Sequence, residues 1–213
     1  MITRTAVTLA DHAGLEGLTM RRLAAELGVT TAALYRHIGD RDRLLASMTD
    51  LVLTETPPSP PDQAGWRARM RYEAQQEWQL YRRHPWLLAV LARIRPPLGQ
   101  GLFDALERAF AALDELELPR TRLMSAYLGY SALVQGLALL WSSERLDRIG
   151  GAEAAAGIPA ELAELLDPRI RPSLHKVFDP AAPPPELDFD ELLADAVDML
   201  LDGLAVRRTA AGE

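Results

Sequence analysis

Residues 17–45 contain a series of helix start and stop signals that restrict the fold of this chain more than any other feature. Side chains that can cap the free N–H groups at the start of a helix occur at Thr19, Thr30 and Asp40. Glycines that can end a helix with a positive φ occur at Gly28 and Gly39. This alternation predicts three short helices in succession, and it predicts a tight turn between the first two, with Val29 buried in it.

Two short helices joined by a tight glycine-containing turn are typical of a helix-turn-helix, whose second helix enters the major groove of DNA. Here that helix begins with small side chains, which permit close approach to base edges, and continues with hydrogen-bond donors. Arginines flank it on both neighbouring helices, and one stands at a helix N-terminus, which attracts anions. The candidate DNA-binding residues are Arg21, Arg22, Thr30, Thr31, Ala32, Ala33, Tyr35, Arg36, His37 and Arg41. An ordinary helical hairpin would carry the same caps, so it is the solvent-side residues that favour DNA.

The same segment carries a combined pattern: residues 17–24 (GLTMRRLA), 27–30 (LGVT) and 34–38 (LYRHI), followed by Asp40-Arg41 and Leu44-Leu45. This pattern resembles that of the TetR family of bacterial transcriptional regulators. The resemblance implies that the positions of Thr31, Ala32, Ala33, Tyr35 and His37 face DNA, and that those of Arg21 and Arg41 reach phosphates or bases. It also implies a double-stranded DNA operator, a small-molecule effector and a homodimer, with repression as the usual sign of action.

Charge in the N-terminal segment departs from the family pattern. Many members begin with a basic arm, whereas only Arg4 is expected before the first helix of this chain. Residues 1–54 contain six arginines and six acidic residues, so non-specific affinity for DNA should be weak. The whole chain carries a net charge of −7, but a small docking face rather than the total charge decides DNA binding.

The rest of the chain has helical periodicity and no alternating strand pattern, which predicts an all-α fold. A run of prolines within residues 57–61 interrupts it. We therefore expect a helix-turn-helix DNA-binding domain over residues 1–54 and a larger helical ligand-binding and dimerisation domain over residues 55–213. Helices are predicted over residues 66–83, 86–94, 102–116, 120–146, 159–170 and 187–206. The uncharged residues 123–143 are expected to form a buried helix of a soluble protein rather than a membrane span.

Composition excludes several other classes of protein. A hydrophobic fraction of 48% and a charged fraction of 25% are ordinary for a soluble globular chain. There is no cysteine, which excludes disulfides and thiolate chemistry, and the N-terminus lacks a signal-peptide pattern, so a cytoplasmic location is expected. Common enzyme motifs are missing, so the chain is expected not to be an enzyme. The alternative is an all-α protein that binds an apolar molecule without acting on DNA.

Aromatic and polar side chains after the proline run are candidates for a ligand pocket, since such pockets are mostly apolar with a few placed polar groups. The candidates are Trp78, Tyr81, Trp86, Tyr127, Tyr130, Gln135 and Trp141. Each of the aromatic residues would also be an ordinary core residue. Gln135 is the favoured polar anchor, because a buried amide needs a partner.

No metal and no cofactor are expected. His84 and His175 have no second ligand at helical spacing and fit capping or packing roles. Residues 95–99 (RPPLG) loosely resemble the tetracycline-repressor branch, in which a histidine four residues earlier coordinates the metal ion of the drug. Leu91 occupies that position here, which argues against a metal–tetracycline ligand.

Two helices are expected to form a dimer interface. The last helix has an apolar face composed of Phe189, Leu192, Leu193, Ala196, Val197, Leu200 and Leu204. Together with the helix over residues 123–143, it could form a four-helix bundle with a second copy of the chain, or both helices could pack within one protomer. The proline run also places helix 66–83 next to helix 41–53 in sequence, which predicts a mechanical link between these two helices.

Overall fold

The computed structural model describes residues 1–57, 65–93, 96–149, 165, 167–177 and 187–210, and the side chains of all of these except 144–149 and 207–210. These parts of the chain contain helices and turns, with no strand among them, so the predicted all-α class is confirmed. The helices are α1 (Ile2–Gly17), α2 (Met20–Glu26), α3 (Thr31–Ile38), α4 (Arg41–Leu53), α5 (Gly65–Arg83), α6 (Trp86–Leu91), α7 (Gln100–Asp114), α8 (Arg120–Ile149), α9 (Pro172–Val177) and α10 (Phe189–Ala210).

The predicted caps of the helix-turn-helix are confirmed. The Thr19 side chain accepts a hydrogen bond from the Arg22 N–H at 3.1 Å, and the Thr30 side chain accepts from the Ala33 N–H at 3.2 Å. Asp40 accepts from the Arg43 N–H at 2.8 Å. Between α2 and α3 the chain turns at Gly28, whose φ of +66° is strained for any residue with a side chain.

Two expectations for this segment are wrong. Val29 is 45% exposed, because the turn that binds its N–H to the Ala24 carbonyl directs the side chain outward. Arg4 does not precede the first helix but lies in the first turn of α1, which begins at Ile2.

The chain divides into two compact units, of which the first comprises Met1–Leu139 and Leu193–Glu213. Its core includes Leu23, Leu34, Leu44, Met48, Val52, Met70, Trp78, Leu87, Leu113, Val134, Leu193 and Leu201. Helices from both sides of the proline run belong to this unit, so the expected boundary between residues 54 and 55 stays a prediction.

Two polar junctions join helices on either side of the proline run within the first unit. Asp11 of α1 accepts from the Trp86 indole N–H at 2.7 Å, and its carboxylate lies 2.8 Å from Nδ1 of His84. Asp50 of α4 accepts from the Gly101 N–H of α7 at 2.7 Å. Helix α4 packs mainly against α7 and α1, with smaller contacts to α3 and α6. The mechanical link expected between α5 and α4 stays a prediction.

The second unit comprises Leu140–Leu192. Within it, the Arg171 guanidinium donates to the Leu165 carbonyl at 2.9 Å. The Asp188 carboxylate caps the start of α10 by accepting from the backbone N–H groups of Asp190 and Glu191. Most of the helix expected over residues 159–170 lies outside the described residues, and residues 168–170 form a turn.

Helix α8 differs from the expected buried helix. Arg120–Ser143 is long and apolar enough to cross a membrane, by length and composition alone, but only 22% of its most apolar window is buried within the chain. The buried residues form a single row of Ala126, Tyr130, Val134 and Ala138. The expectation of burial is therefore right for one face of the helix and wrong for the rest.

Candidate functional site

Helix α3 exposes most of the side chains that were predicted to contact DNA. Ala32, Arg36 and His37 are exposed, and Tyr35 is 46% exposed. Thr31 and Ala33 are partly exposed, while Thr30 is engaged as the N-cap. Leu34 on the opposite side is buried and anchors the helix to the core. The helix therefore presents a small first turn followed by polar side chains, which is the arrangement that major-groove reading requires.

The predicted arginines differ in what they contact. Arg21 and Arg36 are exposed, and neither has a carboxylate partner in the described part of the chain. Arg22 is also exposed, and its guanidinium lies 3.5 Å from the Gly17 carbonyl. Arg41 donates to the Leu18 carbonyl at 2.7 Å and to the Leu15 carbonyl at 2.8 Å. Its guanidinium thus ties α4 to the end of α1, so the geometry assigns it a positioning role.

A cavity of about 520 Å³ lies in the first unit among α5, α6, α7, α8 and the end of α4. Four of the predicted ligand-binding residues line it: Tyr81, Tyr127, Tyr130 and Gln135. Most of the other lining side chains are apolar, and they include Leu53, Leu80, Leu87, Leu91, Leu98, Leu102, Leu106, Phe110, Met124 and Leu128. Phe110 and Tyr127 face each other with their ring centroids 4.9 Å apart. The cavity suits an apolar, ring-containing molecule.

The three predicted tryptophans do not line this cavity. Trp78 is fully buried in the core, and Trp86 is held by Asp11 at the junction with α1. Trp141 belongs to the second unit. For Trp78 the alternative given above, an ordinary core residue, therefore fits the structure.

Sequence reasoning missed the charged groups of the cavity. Glu73 of α5 is buried and accepts from Nε of Arg108 on α7, with both carboxylate oxygens at 3.1 Å. Burial outweighs the attraction of Arg108 and raises the pKa of Glu73 above its usual value. A signal was present, since positions 66, 70, 73, 77 and 81 form one stripe of α5 in which two glutamates interrupt otherwise buried aromatic and apolar residues.

Glu77 lies one turn further along the same stripe. It accepts a hydrogen bond of 2.7 Å from the Tyr81 hydroxyl, yet burial raises the pKa of Glu77 to about 7. Burial also raises the pKa of Tyr127 to about 12. The Gln135 amide donates to the Ser131 hydroxyl at 3.0 Å, which confirms that this amide has a partner. Among the described residues, no three His, Cys, Asp or Glu side chains are grouped to hold a metal ion.

Two family models match successive parts of the chain, and the second match begins at the proline run. "Bacterial regulatory proteins, tetR family" matches residues 2–48, and "Tetracyclin repressor-like, C-terminal domain" matches residues 57–208. The chain belongs to the TetR family. It is a helical regulator of transcription with a DNA-binding helix-turn-helix, and α3 is the second helix of that motif, the position that the recognition helix takes in such motifs.

Similar proteins and solved structures agree with the assignment of this chain to the TetR family. It is 36% identical over 212 residues to the transcriptional repressor DrrR1 of Streptomyces coeruleorubidus, covering 96% of this chain and 76% of that protein. It superposes on apo ActR of Streptomyces coelicolor with a TM-score of 0.77 at 27% identity, covering 99% of this chain and 95% of that one. It also matches ActR in complex with actinorhodin, with a TM-score of 0.73 at 28% identity and coverage of 97% and 96%.

Proposed function

We propose that this TetR-family regulator represses transcription as a homodimer on a near-palindromic operator and is released by a small, largely apolar aromatic molecule. One observation carries the proposal: the lining of the cavity includes Leu53, the last residue of α4, and Thr56, three residues further along the chain. Helix α4 also packs against α1 and α3, so a molecule in the cavity would contact the helix-turn-helix through a single intervening helix.

The chemistry of the cavity supports an aromatic effector. Phe110, Tyr127 and Tyr130 supply ring faces, and Glu77 and Gln135 supply polar atoms to the lining of the same cavity. Solved structures of ActR contain actinorhodin and (S)-DNPA. A molecule of comparable shape would suit the present cavity.

The route from cavity to DNA runs through α7. This helix contributes Leu102, Leu106, Arg108 and Phe110 to the cavity, and its first turn is held by Asp50 of α4. A ligand that shifts α7 would pull α4 through this hydrogen bond, and the recognition helix would follow. A coupling free energy of about 1–3 kcal/mol would change operator affinity about 5- to 150-fold.

The homodimer rests on exposed apolar surface. Leu139 of α8 and Met199 of α10 are exposed, while a Cβ added at Gly129 or Gly136 would meet no atom within 4 Å. An open helix face with small residues permits close approach of a second helix. Paired with its symmetry mate, it would form the expected four-helix bundle and place two recognition helices on successive major grooves.

DNA protection tests the proposal. Footprinting of the DNA that flanks the coding region should reveal a protected palindrome, and a fluorescence anisotropy titration should then give the affinity. Tyr35→Ala should weaken this binding at least tenfold while the protein stays folded, because the side chain is exposed and touches little of the core. Absence of any protected region and of DNA binding in the titration would favour the alternative that the protein does not act on DNA. An unchanged operator affinity of Tyr35→Ala would show that Tyr35 does not contact the operator.

A further inference from the structure

Two carboxyl groups, Glu73 and Glu77, are among the described side chains that line the cavity, and within the described part of the chain only Glu73 faces a cation. Glu73 is paired with Arg108, whose Nε lies 3.1 Å from both of its oxygens. Within the described residues, no Arg, Lys or His nitrogen lies within ion-pair distance of Glu77. Arg93 lines the cavity as well, but it is exposed and its Nε donates to the Ala89 carbonyl. The Glu77 carboxylate of α5 therefore has no counter-charge among the described residues.

A second observation at the same place points to a missing ligand atom. Tyr130 is only 2% exposed and lines the cavity. Its hydroxyl interacts with the Glu77 carboxylate without reaching the geometry of a normal hydrogen bond, and no described group donates to it. Burial, followed by the negative charge of Glu77, holds the pKa of Tyr130 well above its usual value, which shows that the two groups are close. The lone pairs of this buried hydroxyl have no donor among the described residues, so a bound N–H group that donates to them would be favoured.

We propose that the effector is a cationic aromatic amine whose protonated nitrogen pairs with Glu77 while its rings lie against Phe110 and Tyr127. This inference rests on the proposed function, since it names the chemical class of the molecule that fills the cavity. A protonated amine would supply the missing positive charge, and its remaining N–H can donate to the free lone pair of the Tyr130 hydroxyl. The tyrosine faces around it attract a cation further.

The charges of the cavity argue against an anionic effector. An anion would meet Glu77 and Glu73 on α5, while Arg108 on α7 is already paired with Glu73. The other described cation of the lining, Arg93, is exposed to solvent. A neutral ring system would bury the Glu77 carboxyl without giving it a counter-charge, which is costly unless the group takes up a proton.

Two acridines of the same ring skeleton test the charge. At neutral pH 9-aminoacridine is a cation and acridine is uncharged, and both are titrated into the full-length protein without DNA, since acridines bind DNA themselves. The protein should bind 9-aminoacridine about 10- to 100-fold more tightly than acridine, the range that a hydrogen bond to a charged group supplies. Equal affinities, or no binding of 9-aminoacridine up to its solubility limit, would overturn the proposal.

Matched variants locate the effect. Glu77→Gln keeps an acceptor for Tyr81 and should abolish the preference for the cation, whereas Glu77→Asp should retain much of it. Glu107→Gln removes the same charge from an exposed position of α7 that does not line the cavity. This control should bind both dyes as the wild type does. A preference that survives in Glu77→Gln, or disappears in Glu107→Gln, would assign binding to the general negative charge of the protein.

The pH dependence keeps the proposal testable on the wild type alone. The Glu77 pKa of about 7 means that its carboxylate forms as the pH rises through neutrality, so affinity for the cation should increase between about pH 6 and about pH 8. The neighbouring groups are Glu73 and Tyr81 on α5, Arg108 on α7, and Tyr127 and Tyr130 on α8. The three tyrosines stay protonated in this window, because burial raises the pKa of each of them above its usual value. Burial also raises the pKa of Glu73, although Arg108 opposes the shift.

A flat pH profile of 9-aminoacridine affinity would contradict the proposal. Operator binding by the ligand-free wild type is measured separately. Absence of operator binding would contradict the proposed function. Operator binding without a preference for 9-aminoacridine over acridine would contradict only the assignment of a cationic effector.

Discussion

Arg36 and Arg41 are separated by only four residues, yet their guanidinium groups have different surroundings. Arg36 is exposed on the recognition helix and has no carboxylate partner among the described residues. Arg41 is held by two backbone carbonyls at the end of α1. The sequence predicted both as DNA contacts, because both are arginines in helices of the helix-turn-helix segment. Only the fold reveals that the Arg41 guanidinium is already hydrogen-bonded to two backbone carbonyls.

Arg36→Ala should weaken operator binding and lower the salt dependence of that binding. A single lost phosphate contact reduces the slope of log affinity against log salt by about one. The measurement is an anisotropy titration of the operator at several salt concentrations. An unchanged slope would show that Arg36 does not contact phosphate. Arg43→Ala is a suitable comparison, since Arg43 already faces Asp40 at 3.7 Å.

Arg41→Ala should act on folding instead. Removal of the guanidinium leaves the carbonyls of Leu15 and Leu18 without a donor and separates α4 from the end of α1. We expect the free energy of unfolding to fall by about 1–3 kcal/mol. Urea denaturation followed by circular dichroism measures this change. Wild-type stability combined with a reduced salt slope would instead return Arg41 to the phosphate contacts that the family resemblance implies.

At the scale of helices, short-range signals were sufficient for the helix-turn-helix. Caps at Thr19, Thr30 and Asp40 act on N–H groups three residues away, so the sequence contains all that is needed to place them. The neighbours of each helix depend instead on contacts far apart in sequence. Trp86 was predicted to bind ligand because it is aromatic, but its indole is taken by Asp11, 75 residues earlier.

The cavity illustrates the same limit. The sequence identified three tyrosines and Gln135, but it missed Glu73 and Glu77, because polar residues on an apolar stripe were not treated as a signal. Arg108 could not be assigned from spacing, since it reaches Glu73 from a different helix.

Helices α4 and α7 are in unusually close contact, and Asp50 is the polar part of that contact. Gly99 precedes α7 without a side-chain cap, so Asp50 supplies the cap from a neighbouring helix. A Cβ added at Gly101 would lie 2.9 Å from both the Asp50 carbonyl oxygen and the Leu53 Cβ. The close approach of α4 and α7 therefore requires glycine at position 101. The hydrogen bond between Asp50 and the Gly101 N–H depends on this approach.

Asp50→Ala should lower the free energy of unfolding by about 0.5–2 kcal/mol, the usual cost of a lost helix cap. It should also speed amide hydrogen exchange in the first turn of α7, which mass spectrometry of peptic peptides resolves. Asp50→Asn keeps an acceptor oxygen and should preserve most of the protection. Equal exchange in wild type and Asp50→Ala would mean that α7 does not depend on α4, and the proposed route from cavity to DNA would lose its mechanical basis.

At the scale of the whole molecule, the apolar residues of α10 serve two purposes. The predicted interface included Leu193, but this residue is only 2% exposed and lies in the core of its own protomer with Val197 and Leu201. Salt bridges of Arg67 with Asp202 and of Arg71 with Asp198 hold α10 on α5. The spacing of apolar residues alone cannot distinguish a helix face that packs within the chain from one that packs against a second copy, because both faces are apolar at the same spacing.

Outward-facing residues of α8 therefore provide the decisive test of assembly. Leu139 is 59% exposed and does not line the cavity. Leu139→Glu would place an unpaired carboxylate into the proposed four-helix bundle, at a cost on the order of several kcal/mol. Sedimentation at micromolar concentration should show a folded monomer with wild-type circular dichroism, whereas Leu193→Glu should lose helical signal. Operator affinity should fall with the dimer, because one recognition helix then reads only one half-site. A Leu139→Glu protein that remains dimeric would place the interface elsewhere.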